Sequence, residues 1–372
     1  MMLNSLPFEK HVLEQYLAAV LKMEVEVTRI RELTDGKHAR KVKGFGYGQP
    51  LSIELLAGGQ PRQIVLHTVR PDKYGHERRS DRARNILLDF DTYNKLPQHV
   101  PCLDVGAFTI DGKILSLAES SEFFLLTQYT PGRLFAHDLI QLLDGTQLIP
   151  EDKTRVTALA DYLVQIHAKK GEDPTLYRRC IRDLFGHGEG IFGLTDSYAP
   201  DFSIAPPSRL LDIERRLVDW RWHLKERTHR LSQVHGDFHP WNILFHKDNR
   251  FHLLDRSRGE WGEPADDVSA LSINFIFFSL QQYGAMRGVY KILFDLFWEH
   301  YMQNTHDVEI SSVIQPYYAW RALVLAHPTW YPNIGFETRQ LLFNFIENVL
   351  EDEWFDPLKI NDYLEVKGIW VD

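Results

Sequence analysis

Cysteine is scarce in this chain: Cys102 and Cys180 are the only two in 372 residues. Two cysteines set no disulfide framework, and a reducing compartment is the expectation that follows. Positive charge is also short. Lys and Arg total 42 against 51 Asp and Glu, a formal net charge of −9, which excludes the broad basic face of a general nucleic-acid binder. Long apolar runs are missing too. The most apolar stretch, 270–280, is interrupted by Ser272, Asn274 and Ser279, too short and too polar to span a bilayer, and reads as a buried helix. The first ten residues carry no basic segment followed by an apolar one, so no signal peptide is expected. The expectation is a cytoplasmic protein that engages neither membrane nor nucleic acid, with its oligomeric state open. Repeats and low-complexity tracts are absent as well.

What is present is ordinary in bulk and unusual in one place. Hydrophobic residues make up 44% and charged residues 25%, and the length suffices for two lobes, each with its own core. The chemistry gathers in Val234-His235-Gly236-Asp237-Phe238-His239-Pro240-Trp241-Asn242-Ile243-Leu244-Phe245, then Phe251-His252-Leu253-Leu254-Asp255. The pattern predicts a polar loop, a short strand, a turn over 246–250 and a returning strand that ends on Asp255. Apolar runs on both sides anchor the polar groups, so Asp237, Asn242 and Asp255 are expected to converge. One oxygen-bearing group free to act as base and two free to hold a hard cation suit phosphoryl transfer with Mg²⁺. A plain polar turn between core strands, with His235 and His239 as satisfied histidines, is the alternative.

At these residues His235-Gly236-Asp237-Phe238-His239-Pro240-Trp241-Asn242 is similar to the H-G-D-x-H-P-x-N signature of the aminoglycoside phosphotransferase and choline kinase-like family. That family is a branch of the protein-kinase-like fold. Asp255 stands where the family keeps its metal-binding Asp. Gly262-Glu263-Pro264-Ala265-Asp266-Asp267 resembles the family's G-D-P-x-x-D, with Glu263 where an Asp is usual and Asp267 matching the acid that braces the catalytic loop. The resemblance implies an α+β, two-lobed protein-kinase-like fold, with a small antiparallel-sheet N-lobe and a larger, mainly helical C-lobe. Residues 1–131 would form the nucleotide-binding lobe and 132–372 the catalytic and substrate-binding lobe. It implies ATP-dependent phosphorylation of a small-molecule hydroxyl, with Asp237 as the catalytic residue that accepts a proton from, or orients, that hydroxyl and Asn242 and Asp255 holding Mg²⁺.

The N-terminal third supplies the expected nucleotide side. A helix over 8–23, strands over 25–30 and 51–56 and a third strand over 62–69 follow from apolar spacing. Before the second strand, Lys41-Val42-Lys43-Gly44-Phe45-Gly46-Tyr47-Gly48 reads equally as a phosphate cover, with Gly44, Gly46 and Gly48 letting backbone N–H groups approach an anion, or as a flexible hairpin connection. The resemblance asks for a Lys or Arg on the third strand. His67 occupies that position, shorter and only partly charged near neutral pH. Either Lys43, Arg70 or Lys73 substitutes, or phosphate binding is weakened, or the register of the third strand is shifted, or His67 is a packed strand histidine. A helix over 82–96 carries Asp89, read either as the acid facing that strand or as a solvated carboxylate. A hairpin is expected over 106–117 around Asp111-Gly112. The run 122–132, ending Gln128-Tyr129-Thr130-Pro131-Gly132, reads as a buried strand. It resembles the family's hinge, where backbone groups of Gln128 and Tyr129 would pair with adenine.

Beyond the hinge the chain reads as helical. A helix over 153–168 ends at His167, which is expected to be structural. The segment Gly186-His187-Gly188-Glu189-Gly190 is either a substrate lid or an ordinary loop, and a long helix is expected over 208–229. Arg256 and Arg258 flank Ser257 directly after Asp255. They would either select an anionic acceptor or pair with Glu260, Glu263 or Asp266. A cationic acceptor would instead need acids and aromatic faces, for which Glu299, Asp307 and Glu309 are candidates. Tyr317, Tyr318, Trp320, Trp330 and Tyr331 are core or pocket lining. The 17 histidines raise a zinc site at His235, His239, His246 and His252, whose spacing matches no common one. The rival to an active kinase is a catalytically weak or inactive pseudokinase or scaffolding module, motivated by His67.

Overall fold

The computed structural model describes residues 8–33, 47, 48 and 50–366. The chain divides into two compact units, Met1–Thr127 and Gln128–Asp372.

In the first unit, helix α1 (Lys10–Leu21) precedes strands β1 (Val25–Glu32), β2 (Leu51–Ala57) and β3 (Gln60–Leu66), then helix α2 (Arg79–Tyr93) and the strand pair β4 (Gly106–Phe108) and β5 (Ile114–Ser116). β1, β2 and β3 form an antiparallel sheet in that order. Alternation along β2 points Ile53, Leu55 and Ala57 inward, where they meet Leu13 and Leu17 of α1 and Val25 and Val27 of β1. β2 turns into β3 through Gly58 and Gly59, both at positive φ, a two-residue hairpin. The hairpin β4–β5 closes through Gly112, whose N–H donates to Thr109 O at 3.1 Å.

Three expectations change here. β3 stops at Leu66, which pairs with Leu51; the next partner would be Pro50, which has no N–H to extend the ladder. His67 therefore lies one residue past the strand and is exposed. Helix α2 starts and ends three residues early. Asp81 Oδ2 accepts the Arg78 N–H at 2.8 Å to fix its start, and Asn94 exchanges two hydrogen bonds with the Cys102 backbone to end it. No α2 residue is buried, and Asp89 is exposed. The run 122–132 is not a buried strand. Phe124 is 90% and Tyr129 85% exposed, and Gln128 is exposed too. Among the described residues no strand pairs with this run, so β propensity has no ladder to join.

The second unit is mainly helical. It contains β6 (Arg133–Leu134), α3 (Phe135–Leu143), α4 (Pro150–His167), α5 (Pro174–Gly186), α6 (Ile191–Ser197), α7 (Pro207–Leu224), β7 (Ser232–Gln233), β8 (Ile243–Phe245), β9 (Phe251–Leu253), β10 (Trp261–Gly262), α8 (Pro264–Tyr283), α9 (Gly288–Thr305), α10 (Gln315–Ala326) and α11 (Phe336–Glu351). α8 is buried nearly all round, as expected of a helix with apolar residues on every face. Pro264 sits at its first position, Glu263 accepts the Ala265 N–H at its start, and Gly284 at φ +65° closes its end. Helices α4, α9, α10 and α11 pack around it through one continuous core. α7 ends at Leu224, five residues short of expectation, because 228–230 form a separate 3₁₀ turn. No helix of the described residues is long and apolar enough to cross a membrane.

Candidate active site

Two short antiparallel pairs frame the polar loop. β7 pairs with β10, Trp261 opposite Gln233 and Gly262 opposite Ser232; β8 pairs with β9, Ile243 opposite Leu253 and Phe245 opposite Phe251. Between them the chain from Val234 to Asn242 must reverse, and Gly236 takes φ +87° to do so. A Cβ there would lie 3.0 Å from Arg258 Cβ, so the backbone calls for glycine and the neighbour adds a tight contact against any side chain. Phe238, fully buried and stacked on Tyr162 at 5.9 Å, pins the loop to α4.

Asp267, at the start of α8, fixes the loop from below. Its Oδ2 accepts the His235 N–H at 2.8 Å and its Oδ1 the Gly236 N–H at 2.7 Å. His167 Nε2 also lies 3.2 Å from Asp267 Oδ2, while its Nδ1 meets the Tyr301 hydroxyl at 2.8 Å. His167 thus links helix α9 to the acid beneath the loop. His235 accepts the Asp237 N–H on Nδ1 at 3.3 Å. Burial holds its imidazole below the usual value, against the charges of Asp267 and Asp237.

Asp237 is engaged on both oxygens. Oδ1 accepts from Arg321 Nη1 at 2.5 Å; Oδ2 accepts from Asn242 Nδ2 at 3.2 Å and lies 3.4 Å from His239 Nε2. His239 Nδ1 accepts the Trp241 N–H, which orients the ring with Nε2 toward the carboxylate. Burial opposes the charged form of Asp237, but the His239 hydrogen bond and the Arg321 charge outweigh it and hold the carboxyl well below its usual range. The Asn242 amide also donates to Asp237 O at 3.1 Å. Its amide oxygen is left to offer lone pairs.

The returning strand brings Asp255 to the same end of the ladder. Leu254 N–H donates to Asn242 O at 2.8 Å, and Asp255 follows at φ +52°, exposed. Arg256 Nη2 then donates to Val234 O at 3.0 Å. Hard oxygen donors, one amide and one carboxylate, are what Mg²⁺ takes from a protein when phosphates and water complete its shell; the residues present fit that ion. Among the described residues no group of three or more His, Cys, Asp or Glu is placed to hold a metal. His246 and His252 instead hydrogen-bond each other at 2.7 Å.

Arg321, on α10, escapes a sequence reading that weighs its neighbours as aromatics. It is buried, spans Asp237 Oδ1 and Asp266 Oδ1 (2.6 Å), and stacks on Trp320 at 4.0 Å. A charged residue in an otherwise apolar helix is the signal that could have found it, because such a group needs a buried counter-charge. Burial pushes the Asp266 carboxyl up to about 6, against Arg321 and Arg258. Glu263 is buried, held by Arg230 at 2.7 Å and by the Tyr177 hydroxyl at 2.9 Å. Tyr317, Tyr318 and Trp320 are core residues, whereas Trp330 is 63% exposed.

The residues expected on the nucleotide side lie in the first unit or at its boundary. Gly44, Gly46 and Lys43 fall outside the described residues. Gly48 pairs with Val69, and a Cβ on it would meet Thr68 O at 2.7 Å. His67, Asp89, Gln128 and Tyr129 are all exposed.

A sequence profile of the phosphotransferase enzyme family matches residues 77–282. Acyl-CoA dehydrogenase family member 10 of Mus musculus is 26% identical over 163 residues, 42% of this chain and 14% of that protein. The chain thus spans a small part of the length of that curated relative. Similar solved structures include the amicoumacin kinase hAmiN in complex with AMP-PNP, Ca²⁺ and Ami, at 14% identity over 95% of this chain and 98% of that one, with a TM-score of 0.40. The choline kinase LicA from Streptococcus pneumoniae matches at 15% identity over 92% of this chain and 98% of that one, with a TM-score of 0.31.

Proposed function

The chain belongs to the phosphotransferase enzyme family, and from that premise we propose that it is an ATP-dependent kinase acting on a hydroxyl of a small molecule. The observation that carries this reading is that Asp237 is engaged on both oxygens: one on Arg321, the other beside Asn242 and His239, in a loop hung from Asp267. An ionised carboxylate held this way can accept and orient an acceptor hydroxyl. The hydroxyl oxygen would attack the γ-phosphorus, the bond to the bridging oxygen of ADP would break, and the hydroxyl proton would leave toward Asp237 or the transferred phosphoryl group. The low proton affinity of Asp237 favours orientation over early deprotonation, which suits a loose phosphoryl-transfer transition state.

Asn242 and Asp255 would hold Mg²⁺, which when bound offsets charge on the nucleotide phosphates. Gly48, with Gly44 and Gly46, would cover the phosphates, and Gln128 and Tyr129 would meet the adenine. Residues 1–131 would be the nucleotide lobe and 132–372 the catalytic lobe, in the cytoplasm.

One observation favours a second reading. His67, exposed past the end of β3, stands where a permanent cation is expected, which suits a pseudokinase with weak or no turnover. Both readings expect ATP with Mg²⁺ to raise the melting temperature. Only an enzyme releases ADP when offered hydroxylated acceptors. In the kinase reading, Asp237→Asn lowers that release at least a hundredfold while the ATP–Mg²⁺ shift persists. Unchanged turnover in Asp237→Asn removes the assignment.

A further inference from the structure

The charges around Asp237 choose between acceptor classes, and carboxylates come first. A cationic acceptor needs an acid not already paired. Asp237 and Asp266 are both held by Arg321, Asp267 by the loop N–H groups and His167, and Glu263 by Arg230 and Tyr177. The more distant candidates are also engaged. Asp307 accepts from Arg230 and Glu309 from Arg227 and His229, while Glu299, on the exposed face of α9, accepts the neutral Gln303 amide and keeps its charge. Asp255 is the one acid of the site with an unengaged side chain among the described residues, and the proposed metal claims it.

The guanidiniums are placed differently. Among the described residues Arg258 forms no direct ion pair with Glu260, Glu263 or Asp266, although its charge reaches Asp266 and favours that carboxylate. Its stem lies over Gly236, next to Asp237, and its guanidinium stacks on the buried Trp320 at 4.5 Å. Among the described residues its one ion pair is loose, 3.7 Å to Glu189, a side chain that is 66% exposed, and its buried Nε has no hydrogen-bond partner. Trp320 is itself fixed, donating Nε1–H to Glu189 O at 3.0 Å and carrying Arg321 at 4.0 Å. A planar cation pre-oriented on an indole, its stem against the loop that carries the proposed catalytic Asp, and with no close counter-ion among the described residues is an oxyanion receptor.

We propose that the acceptor is an anionic hydroxyl compound, its carboxylate or phosphate bound by Arg258 beside Asp237. This rests on the kinase reading above and narrows its substrate class. It also gives the 187–190 segment a role: Glu189 is the exchangeable partner that an incoming anion displaces from Arg258.

The test offers glycerate, glycerol phosphate, glycerol and choline to the full chain with ATP and Mg²⁺, reading ADP release and, separately, melting temperature. The expected result is that an anionic probe gives the higher kcat/KM and the larger thermal shift. The two anionic arms then tell carboxylate from phosphate. Arg258→Gln should cut kcat/KM for the anion at least tenfold, mainly through KM, and abolish the anion's thermal shift while the ATP–Mg²⁺ shift stays. Arg258→Lys should restore part of both. Should Arg258→Gln not fold, sulfate competition against the anionic probe in the unsubstituted protein replaces it, with a raised apparent KM expected. Choline or glycerol matching the anions, or anion discrimination unchanged in Arg258→Gln, overturns the proposal. No ADP release with any probe counts against the kinase reading instead, and the anion-dependent thermal shift then still decides whether Arg258 holds an oxyanion.

Discussion

Arg321 Nη1 and Asp237 Oδ1 lie 2.5 Å apart, joining residues 84 positions distant in the chain. The same guanidinium reaches Asp266 Oδ1 at 2.6 Å, so α10, the start of α8 and the polar loop meet at one buried cation. Removing one member of a buried ion network leaves the others uncompensated, at about 3–5 kcal/mol. Arg321→Met is expected to lose stability of that order in urea unfolding. Arg321→Lys, which keeps the charge but not the fork, should fall between it and the unsubstituted protein. A loss below about 1 kcal/mol in Arg321→Met would mean that the pair contributes no more than a surface bridge.

Glu263 stands where the resembling family usually carries Asp, and the structure gives the extra methylene a reason. From the capping position of α8 its carboxylate reaches both Arg230 and the Tyr177 hydroxyl. Burial, then the Glu263 charge, pushes the Tyr177 phenol far above its usual value, so its proton stays in place to donate. Glu263→Asp would retract the carboxylate and leave Tyr177 or Arg230 unsatisfied, which costs about 1–3 kcal/mol. Differential unfolding should show that loss, and Tyr177→Phe in the Glu263→Asp background should add little to it. Full additivity of the two substitutions would contradict a shared contact.

Gly236→Ala tests the loop directly. At φ +87°, with Arg258 Cβ 3.0 Å from the new methyl, alanine is strained by roughly 1–2 kcal/mol from the backbone alone. The loop can relieve that strain only by loosening the N–H groups that Asp267 accepts. Both stability and turnover should fall, with the ATP–Mg²⁺ thermal shift kept. An alanine variant of unchanged turnover would show that the loop tolerates displacement.

Where contacts run between near neighbours in sequence, they were legible. The Asp237–Asn242 contact follows from a five-residue loop closed by a strand, and the Asn242–Leu254 backbone bond follows from the apolar pairs on either side of the turn. Asp267 was legible because its motif names it. Arg321 was legible only as a cation in an apolar helix that needs a buried counter-charge; the sequence does not say that the carboxylate lies 84 positions away. The end of β3 was missed because the ladder depends on its partner: Pro50, not anything in the third strand, stops it before His67. The run 122–132 has strand-like composition but no partner strand among the described residues, and composition alone cannot supply one.

His327 links stability to pH away from the site. It is 2% exposed; its Nδ1 accepts the Thr329 N–H at 3.1 Å and its Nε2 meets Ser197 Oγ at 3.0 Å. Burial holds its imidazole below the usual value of 6.5, against the Ser197 contact. A proton on Nδ1 would also break the Thr329 bond. As pH falls below 6.5 the unfolded chain therefore takes up a proton that the folded chain resists. The unfolded state binds more protons there, so stability falls as pH drops and is full above 6.5. His327→Gln removes the titrating group from both states. Urea midpoints measured from pH 7.5 to pH 5 should decline less steeply in His327→Gln than in the unsubstituted protein, and parallel slopes would assign the acid sensitivity to other groups.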